Sequence, residues 1–303
     1  MLERDFFKQV RILDGGMGQE LLARGLKTTG TLWSASALLK EEFHKLILDA
    51  HLDFINAGAE IIVTTTFSSR RLKLRENDVE DKFEELNKKA GELAIRAKEK
   101  HPDVLVAGGL PPQYLVYEAD TRSDYEILEN FFDQAKIISP FVDFFYLDVL
   151  SSIREIKLAV QAIESLNKPY LIGAHISEGV KLPSGEKISE IVSKMEHNNL
   201  LGLMLSCVSP ENYELNLQEI KCLGYPFGFK LNGFARTNPV SGYTKIYNKN
   251  KTINPNEFLG TRKDLTPIKL AQFAQKFKDA GATILGGCCE TTPSHIKEIS
   301  KLR

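Results

Sequence analysis

Strand-sized apolar runs alternate with stretches of helical periodicity from one end of the chain to the other. Strands are expected near residues 10–13, 59–64, 104–107, 143–147, 169–174, 200–206, 226–231 and 283–286. Helical patterns fall near 18–24, 40–57, 80–100, 124–138, 151–166, 186–197, 210–223, 265–280 and 293–301. A helix that crosses back between two strands makes them parallel, because a tight turn cannot join parallel neighbours. Eight such units in 303 residues fit a closed (β/α)8 barrel, the TIM barrel, better than an open doubly wound sheet. No Pro/Ser-rich linker divides the chain, so residues 1–303 are expected to form one α/β barrel domain.

Charge and length then exclude several functions. The 39 basic and 40 acidic residues give a formal charge of −1, which leaves no basic surface for nucleic acid. The apolar runs fall short of the roughly 18 residues a membrane span needs. The first residues lack the basic flank and apolar stretch of an export signal. Four cysteines (Cys207, Cys222, Cys288 and Cys289) are too few for a disulfide scaffold. The expectation is a soluble, cytoplasmic protein with free thiols, and oligomeric state is not readable from these features.

Two connections are long for a compact domain: 25–40, which holds Trp33, and 232–262, which holds Pro239, Gly242, Tyr243 and Pro255. They follow the first and seventh strands, on the barrel face where active sites are built. The charged stretch from Arg70 to Lys100 reads as a solvated helix with i,i+4 pairs.

The residues with most chemical meaning follow the last strand: Gly286, Gly287, Cys288, Cys289, then Thr292 and Pro293 as N-cap and first residue of a new helix. Two adjacent thiols in such a turn can be metal ligands, a redox pair or small apolar residues. Cys207 ends the sixth strand, and barrel closure brings the ends of strands six and eight within about 10 Å. Three thiolates converging there would favour Zn²⁺, and a fourth, open tetrahedral position would mark the site as catalytic. Cys222, near a helix end, reads as a packing residue.

Asp14, Gly15 and Gly16 end the first strand, where the glycines would allow close backbone approach or positive φ and Asp14 would either enter the barrel mouth or cap the next helix. Their spacing is not that of a dinucleotide fingerprint. Asp148 ends the fourth strand and either caps the helix near Ser151 or meets a cationic ligand group. Thr64 and Thr66, after the second strand, orient a ligand or hold a turn. His175 and His295 read as surface or packing residues.

At these positions the chain resembles the homocysteine S-methyltransferase family. The resemblance runs from about residue 11 to the C-terminus and rests on Asp14 to Gly18, on Gly58 to Ile62 leading into Thr64, Thr65, Thr66 and Phe67, on Cys207, and on Gly286 to Cys289 with Thr292, Pro293, His295 and Ile296. It implies a (β/α)8 barrel in which Cys207, Cys288 and Cys289 hold Zn²⁺. A substrate site would comprise Asp14, Gly15, Gly16, Thr64, Thr66 and Asp148, with the two acids on the substrate ammonium. The implied reaction moves a methyl group from a small onium donor, S-methylmethionine being favoured, to the thiol of homocysteine. Trp33, Phe67 or Tyr243 would face the onium methyl or simply pack the mouth.

Some positions depart from the family pattern. Ser206 stands where an Asn often precedes the first cysteine, and Asp148 with Val149 replaces a Glu-Thr pair. The turns after strands three and seven also differ, at Gly109 to Pro112 and at Leu231 to Gly233. Alternative readings are alkyl transfer to or from a different thiol, a metal or redox thiol protein without catalysis, and a barrel that has become a binding partner.

Overall fold

The computed structural model describes residues 2–194, 199–236 and 257–303. Eight strands run in chain order: β1 (Arg11–Ile12), β2 (Ile61–Val63), β3 (Leu105–Leu110), β4 (Phe144–Leu150), β5 (Tyr170–Ala174), β6 (Leu200–Val208), β7 (Phe227–Leu231) and β8 (Ile284–Gly287). All pair in parallel, in the order β1-β8-β7-β6-β5-β4-β3-β2. The ring closes between its first two strands through the Leu13–Ile61 bridge and the Asp14 N–H donating to Ile61 O at 3.0 Å. This is the eight-stranded parallel barrel expected from the βα alternation.

Strand parity sets what each side chain meets. On β4, Phe144 and Tyr146 point into the barrel with Leu13, Ile61, Val63, Leu171, Met204 and Ile284, while Phe145 and Leu147 face the helices. A short N-terminal 3-10 turn (Arg4–Lys8) places Phe7 across the barrel floor, its ring 5.9 Å from that of Phe144. The interior is therefore packed at its base and opens only at the strands' C-terminal ends. Glycine makes room where two large groups meet: a Cβ on Gly173 would lie 2.3 Å from Ser206 Oγ and 2.7 Å from Tyr146 Oη.

The helices are α1 (Met17–Ala23), α2 (Ala35–Leu39), α3 (His44–Asn56), α4 (Arg71–Arg75), α5 (Phe83–Lys100), α6 (Asp124–Ile138), α7 (Ile153–Glu164), α8 (Ser189–Ser193), α9 (Pro210–Lys221), α10 (Pro267–Asp279) and α11 (Pro293–Ser300). Three begin alike, with Ser or Thr before Pro, which sets φ for the first turn and needs no N–H partner there. Ser209 Oγ accepts from Asn212 N–H at 3.2 Å and Thr266 Oγ1 from Lys269 N–H at 3.3 Å. At α11 the Thr292 N–H donates to His295 Nδ1 at 3.1 Å, so His295 serves as a capping partner.

Several expectations need correction. The helix read at 186–197 is only the five residues Ser189–Ser193, with 195–198 outside the described residues. The first long connection is not all loop, because Leu32, Ala35, Ala37 and Leu38 fold it as α2 against α3 and α5. The stretch from Arg70 to Lys100 is not one solvated helix: α4 and a separate 3-10 turn precede α5, and Arg70 and Lys73 are buried. Cys222 is exposed at the end of α9 rather than buried as a packing residue. In the 232–262 connection, Pro239, Gly242, Tyr243 and Pro255 lie outside the described residues. No described helix is long and apolar enough to cross a membrane.

Candidate active site

The barrel opens into a cavity with about 960 Å³ of empty space, its mouth included. Cys207, Cys288 and Cys289 share its wall with Asp14, Asp148 and Lys230. The three sulfurs lie within 4.8 Å of one another, and Cys207 Sγ is 3.8 Å from Cys289 Sγ. Tetrahedral sulfur ligands at ~2.3 Å from Zn²⁺ are ~3.8 Å apart, a spacing that the Cys207–Cys289 pair already has, so the donor set is of the right kind and close enough to share such an ion.

Local backbone irregularities aim these side chains. Register shifts interrupt β4 between Leu147 and Leu150 and β6 between Ser206 and Val208. At the bulges Val149 has φ 65° and Cys207 φ 54°, conformations that cost a residue with a side chain about 1–3 kcal/mol. Trp33 (φ 47°) and Tyr117 (φ 66°) also have positive φ and also line the cavity. Four of the seven described non-glycine residues with positive φ thus line the cavity. In the β8 turn, Cys288 N–H donates to Leu231 O at 2.7 Å, and Thr291 Oγ1 donates to Cys288 O at 2.6 Å.

Electrostatics make the trio hungry for a cation. Burial pushes the Cys207 thiol up, but hydrogen bonding with Cys288, Cys289, Tyr117 and Asn232 overrides it and draws the thiol well below its ordinary range. Cys288 and Cys289 are pushed up, first by their contacts with the Cys207 sulfur and also by burial. A thiolate at Cys207 opposes ionisation of the other two, and a positive ion among the three would offset that repulsion. Tyr117 Oη lies 3.1 Å from Cys207 Sγ, and Asn232 Nδ2 donates to Cys207 O at 2.6 Å and approaches Cys207 Sγ at 3.7 Å.

The expected substrate residues separate into two groups. Asp14 neither caps α1, whose N-cap is Gly16, nor stands free: Oδ1 is 2.9 Å from Lys230 Nζ and Oδ2 accepts from Val63 N–H at 2.8 Å. Asp148 also is not a cap, since Ser152 caps α7. Its Oδ1 is buried in the cavity wall with no partner, and burial raises the carboxyl to about 7 despite Lys230. Gly15 and Gly16 line the cavity without positive φ. Their small size serves the cysteine turn: a Cβ on Gly16 would lie 2.5 Å from Cys288 O. Thr64 lines the cavity and its Oγ1 accepts from Gly109 N–H at 3.0 Å. Thr66 does not line it, because its hydroxyl donates to Gly109 O at 2.6 Å and ties β2 to β3.

Ser206 is buried and hydrogen-bonded to Tyr146 inside the barrel. His175 is buried, tilted against Tyr117 with centroids 4.4 Å apart, and held near pKa 4 by burial. Trp33 and Phe67 meet edge to face at 6.3 Å on the cavity wall. Sequence reading missed Tyr117 and Asn232, which contact the Cys207 sulfur, and Lys230. The signal for Lys230 was present, as a lysine at an inward position of the buried run Phe227, Gly228, Phe229, Lys230, Leu231.

Comparison with known proteins is consistent along the whole chain. The family model described as homocysteine S-methyltransferase matches residues 11–303. Homocysteine S-methyltransferase 2 of Saccharomyces cerevisiae is 28% identical, covering 97% of this chain and 94% of the yeast protein. A selenocysteine Se-methyltransferase of Brassica oleracea is 26% identical, covering 96% of this chain and 88% of its own length. The crystal structure of homocysteine methyltransferase MmuM from Escherichia coli, in its metallated form, superposes with a TM-score of 0.78 at 22% identity, covering 97% of this chain and 96% of that one, and so shows the same fold.

Proposed function

The chain belongs to the homocysteine S-methyltransferase family, and from that membership we propose that it transfers a methyl group from a small onium donor to the thiol of homocysteine, forming methionine. The observation that carries the reading is the meeting of Cys207, Cys288 and Cys289 within 4.8 Å at the barrel mouth. Zn²⁺ held by these three thiolates would supply a fourth position at which the acceptor thiol, ordinarily near pKa ~8.5, is kept as thiolate.

The chain's own groups do the rest. Tyr117 and Asn232 fix the Cys207 sulfur from two sides. Asp148, with a buried oxygen lacking any partner, is suited to accept the homocysteine ammonium, since an unpaired buried acceptor is costly until a donor arrives. Asp14 is already neutralised by Lys230 and would set the position of Lys230 rather than hold the ammonium. Trp33 and Phe67 present aromatic surface to an onium methyl. In the transfer, the acceptor sulfur forms a bond to the methyl carbon as the carbon–onium bond breaks. The electron pair leaves with the donor as a neutral thioether or amine, so no general acid is required. Alignment and exclusion of water in the closed-bottomed cavity are the protein's main contributions.

The test is methionine formation by the zinc-loaded protein from homocysteine, with S-methylmethionine and betaine as donors. Methionine appearing in proportion to donor consumed is expected. Full zinc occupancy with no methionine from either donor would reject the reading.

A further inference from the structure

The bulges at Val149 on β4 and Cys207 on β6 flank β5, which runs between those two strands. The residue that follows β5 is His175, 1% exposed and unused by the transfer chemistry. It reaches both bulges. Its backbone N–H donates to Leu150 O at 2.9 Å, just past Val149, and its Nδ1 lies 3.0 Å from Ser206 O, just before Cys207. A carbonyl can only accept, so Nδ1 carries the ring proton. Burial keeps the imidazole neutral at pH 7, which makes Nε2 an acceptor, and the Ser177 hydroxyl donates to it at 2.6 Å. Ser177 thereby fixes which nitrogen is protonated toward β6.

The bulge at Cys207 needs such a donor. Where a strand bulges the ladder is locally broken, and buried carbonyls must find other partners. Ser206 O meets His175 from the β5 side, and Cys207 O accepts from Asn232 Nδ2 at 2.6 Å from the β7 side. Each carbonyl belongs to one of the two planar peptide groups that flank the Cys207 Cα. Holding both planes holds the backbone of Cys207 at its φ of 54°, which a residue with a side chain seldom adopts. His175 also supports the sulfur. Its ring tilts against Tyr117 with centroids 4.4 Å apart, and Tyr117 Oη lies 3.1 Å from Cys207 Sγ.

We propose that His175 is a positioning residue for Cys207: its Nδ1–H on Ser206 O and its ring against Tyr117 hold the Cys207 sulfur where it meets those of Cys288 and Cys289. The metal reading of the three cysteines supplies what this placement serves, and the inference rests on it to that extent. Both ring nitrogens are committed, Nδ1 to Ser206 O and Nε2 to Ser177, so His175 acts through Cys207 rather than on an ion.

The experiment measures the zinc affinity of the full chain by competition with a chromophoric chelator. His175→Asn keeps an N–H at the place of Nδ1, whereas His175→Phe keeps a ring against Tyr117 and has no donor. H175F is expected to bind zinc at least about tenfold more weakly than the wild type, and H175N to stay within about threefold of it. A packing role predicts the reverse order, because Phe fills the space and Asn leaves a gap. That order, equal losses, or no loss in H175F would overturn the proposal. The wild type gives a check that needs no variant to fold: the ¹⁵N spectrum of the His175 ring at pH 7 should place a proton on Nδ1, and a proton on Nε2 alone would overturn it. If the wild type binds no zinc, the metal reading fails, and alkylation of Cys207 in the reduced protein, followed by peptide mass spectrometry, decides the proposal separately. A rate changed at least about threefold in H175F and less in H175N would support it; equal rates in the three proteins, or the larger change in H175N, would overturn it.

Discussion

Lys230 Nζ lies 2.9 Å from Asp14 Oδ1 across the barrel mouth, with the two side chains only 6% and 2% exposed. Burial would push the lysine's proton affinity down, yet Asp14, Asp148 and Cys288 hold it up. The pair occupies Asp14, whereas Asp148 keeps an unpaired oxygen, so of the two acids Asp148 is the one proposed to meet a substrate ammonium.

Breaking that pair from one side should cost more than removing it whole. Lys230→Met leaves Asp14 buried and unpaired and is expected to lower unfolding free energy by about 3–5 kcal/mol. Lys230→Met combined with Asp14→Asn should recover part of the loss. Urea unfolding of the four proteins in a double-mutant cycle measures this coupling, and strict additivity would mean that the ion pair does not contribute.

The fold and the meeting of three cysteines at the barrel mouth were legible in the sequence for a common reason: both depend on where strands end. Parity and strand length placed Cys207, Cys288, Asp14 and Asp148 at one end of a parallel barrel before any coordinates. Lys230 was legible in principle, as a charge inside a buried strand, but its partner lies 216 residues away and only the fold reveals it. The bulges at Val149 and Cys207 carry no turn residue to announce them. Arg70 and Lys73 were misread because charge density over a 30-residue window reports an average, whereas burial there is decided by the contact of one short helix with the cavity. Whether Thr66 would orient a ligand or hold a turn stayed open in the sequence, because a hydroxyl's use on a neighbouring strand is a register-level fact.

Gly18 should control the position of the chain's one tryptophan. A Cβ there would fall 2.0 Å from Trp33 Cζ2, so Gly18→Ala must displace the indole from the wall. The expected outcome is a shift in tryptophan emission and a severalfold rise in donor KM, with zinc content unchanged. Unaltered emission would show that the indole does not rest on this helix.

Stability should carry a pH signature from Glu155. Burial raises its carboxyl to about 8 in the folded chain, whereas the unfolded group has its ordinary value near 4.5. The unfolded state therefore releases its proton first, and this group's contribution to stability declines as pH rises from about 4.5 to about 8, by on the order of 5 kcal/mol in total. Glu155→Gln removes the titration. Its stability relative to wild type should grow through that window and level off above it, as measured by urea unfolding at a series of pH values; a pH-independent difference would contradict the assignment.

Asp148 should govern acceptor affinity with the opposite sign. Its carboxyl lies near 7 when no ligand is bound, chiefly through burial, and must be ionised to hold an ammonium group. Asp148→Asn is expected to weaken homocysteine binding by about 2–5 kcal/mol, read by calorimetry, while leaving zinc bound. An unchanged affinity would place the ammonium elsewhere.

In the proposed site three cysteine sulfurs hold zinc and leave room for the sulfur of the acceptor. Zinc-edge X-ray absorption of the loaded protein, before and after homocysteine, measures this directly. Three sulfur scatterers at ~2.3 Å plus one lighter atom should become four sulfurs when homocysteine is added. Four sulfurs from the protein alone, or no gain of sulfur with homocysteine present, would contradict the account.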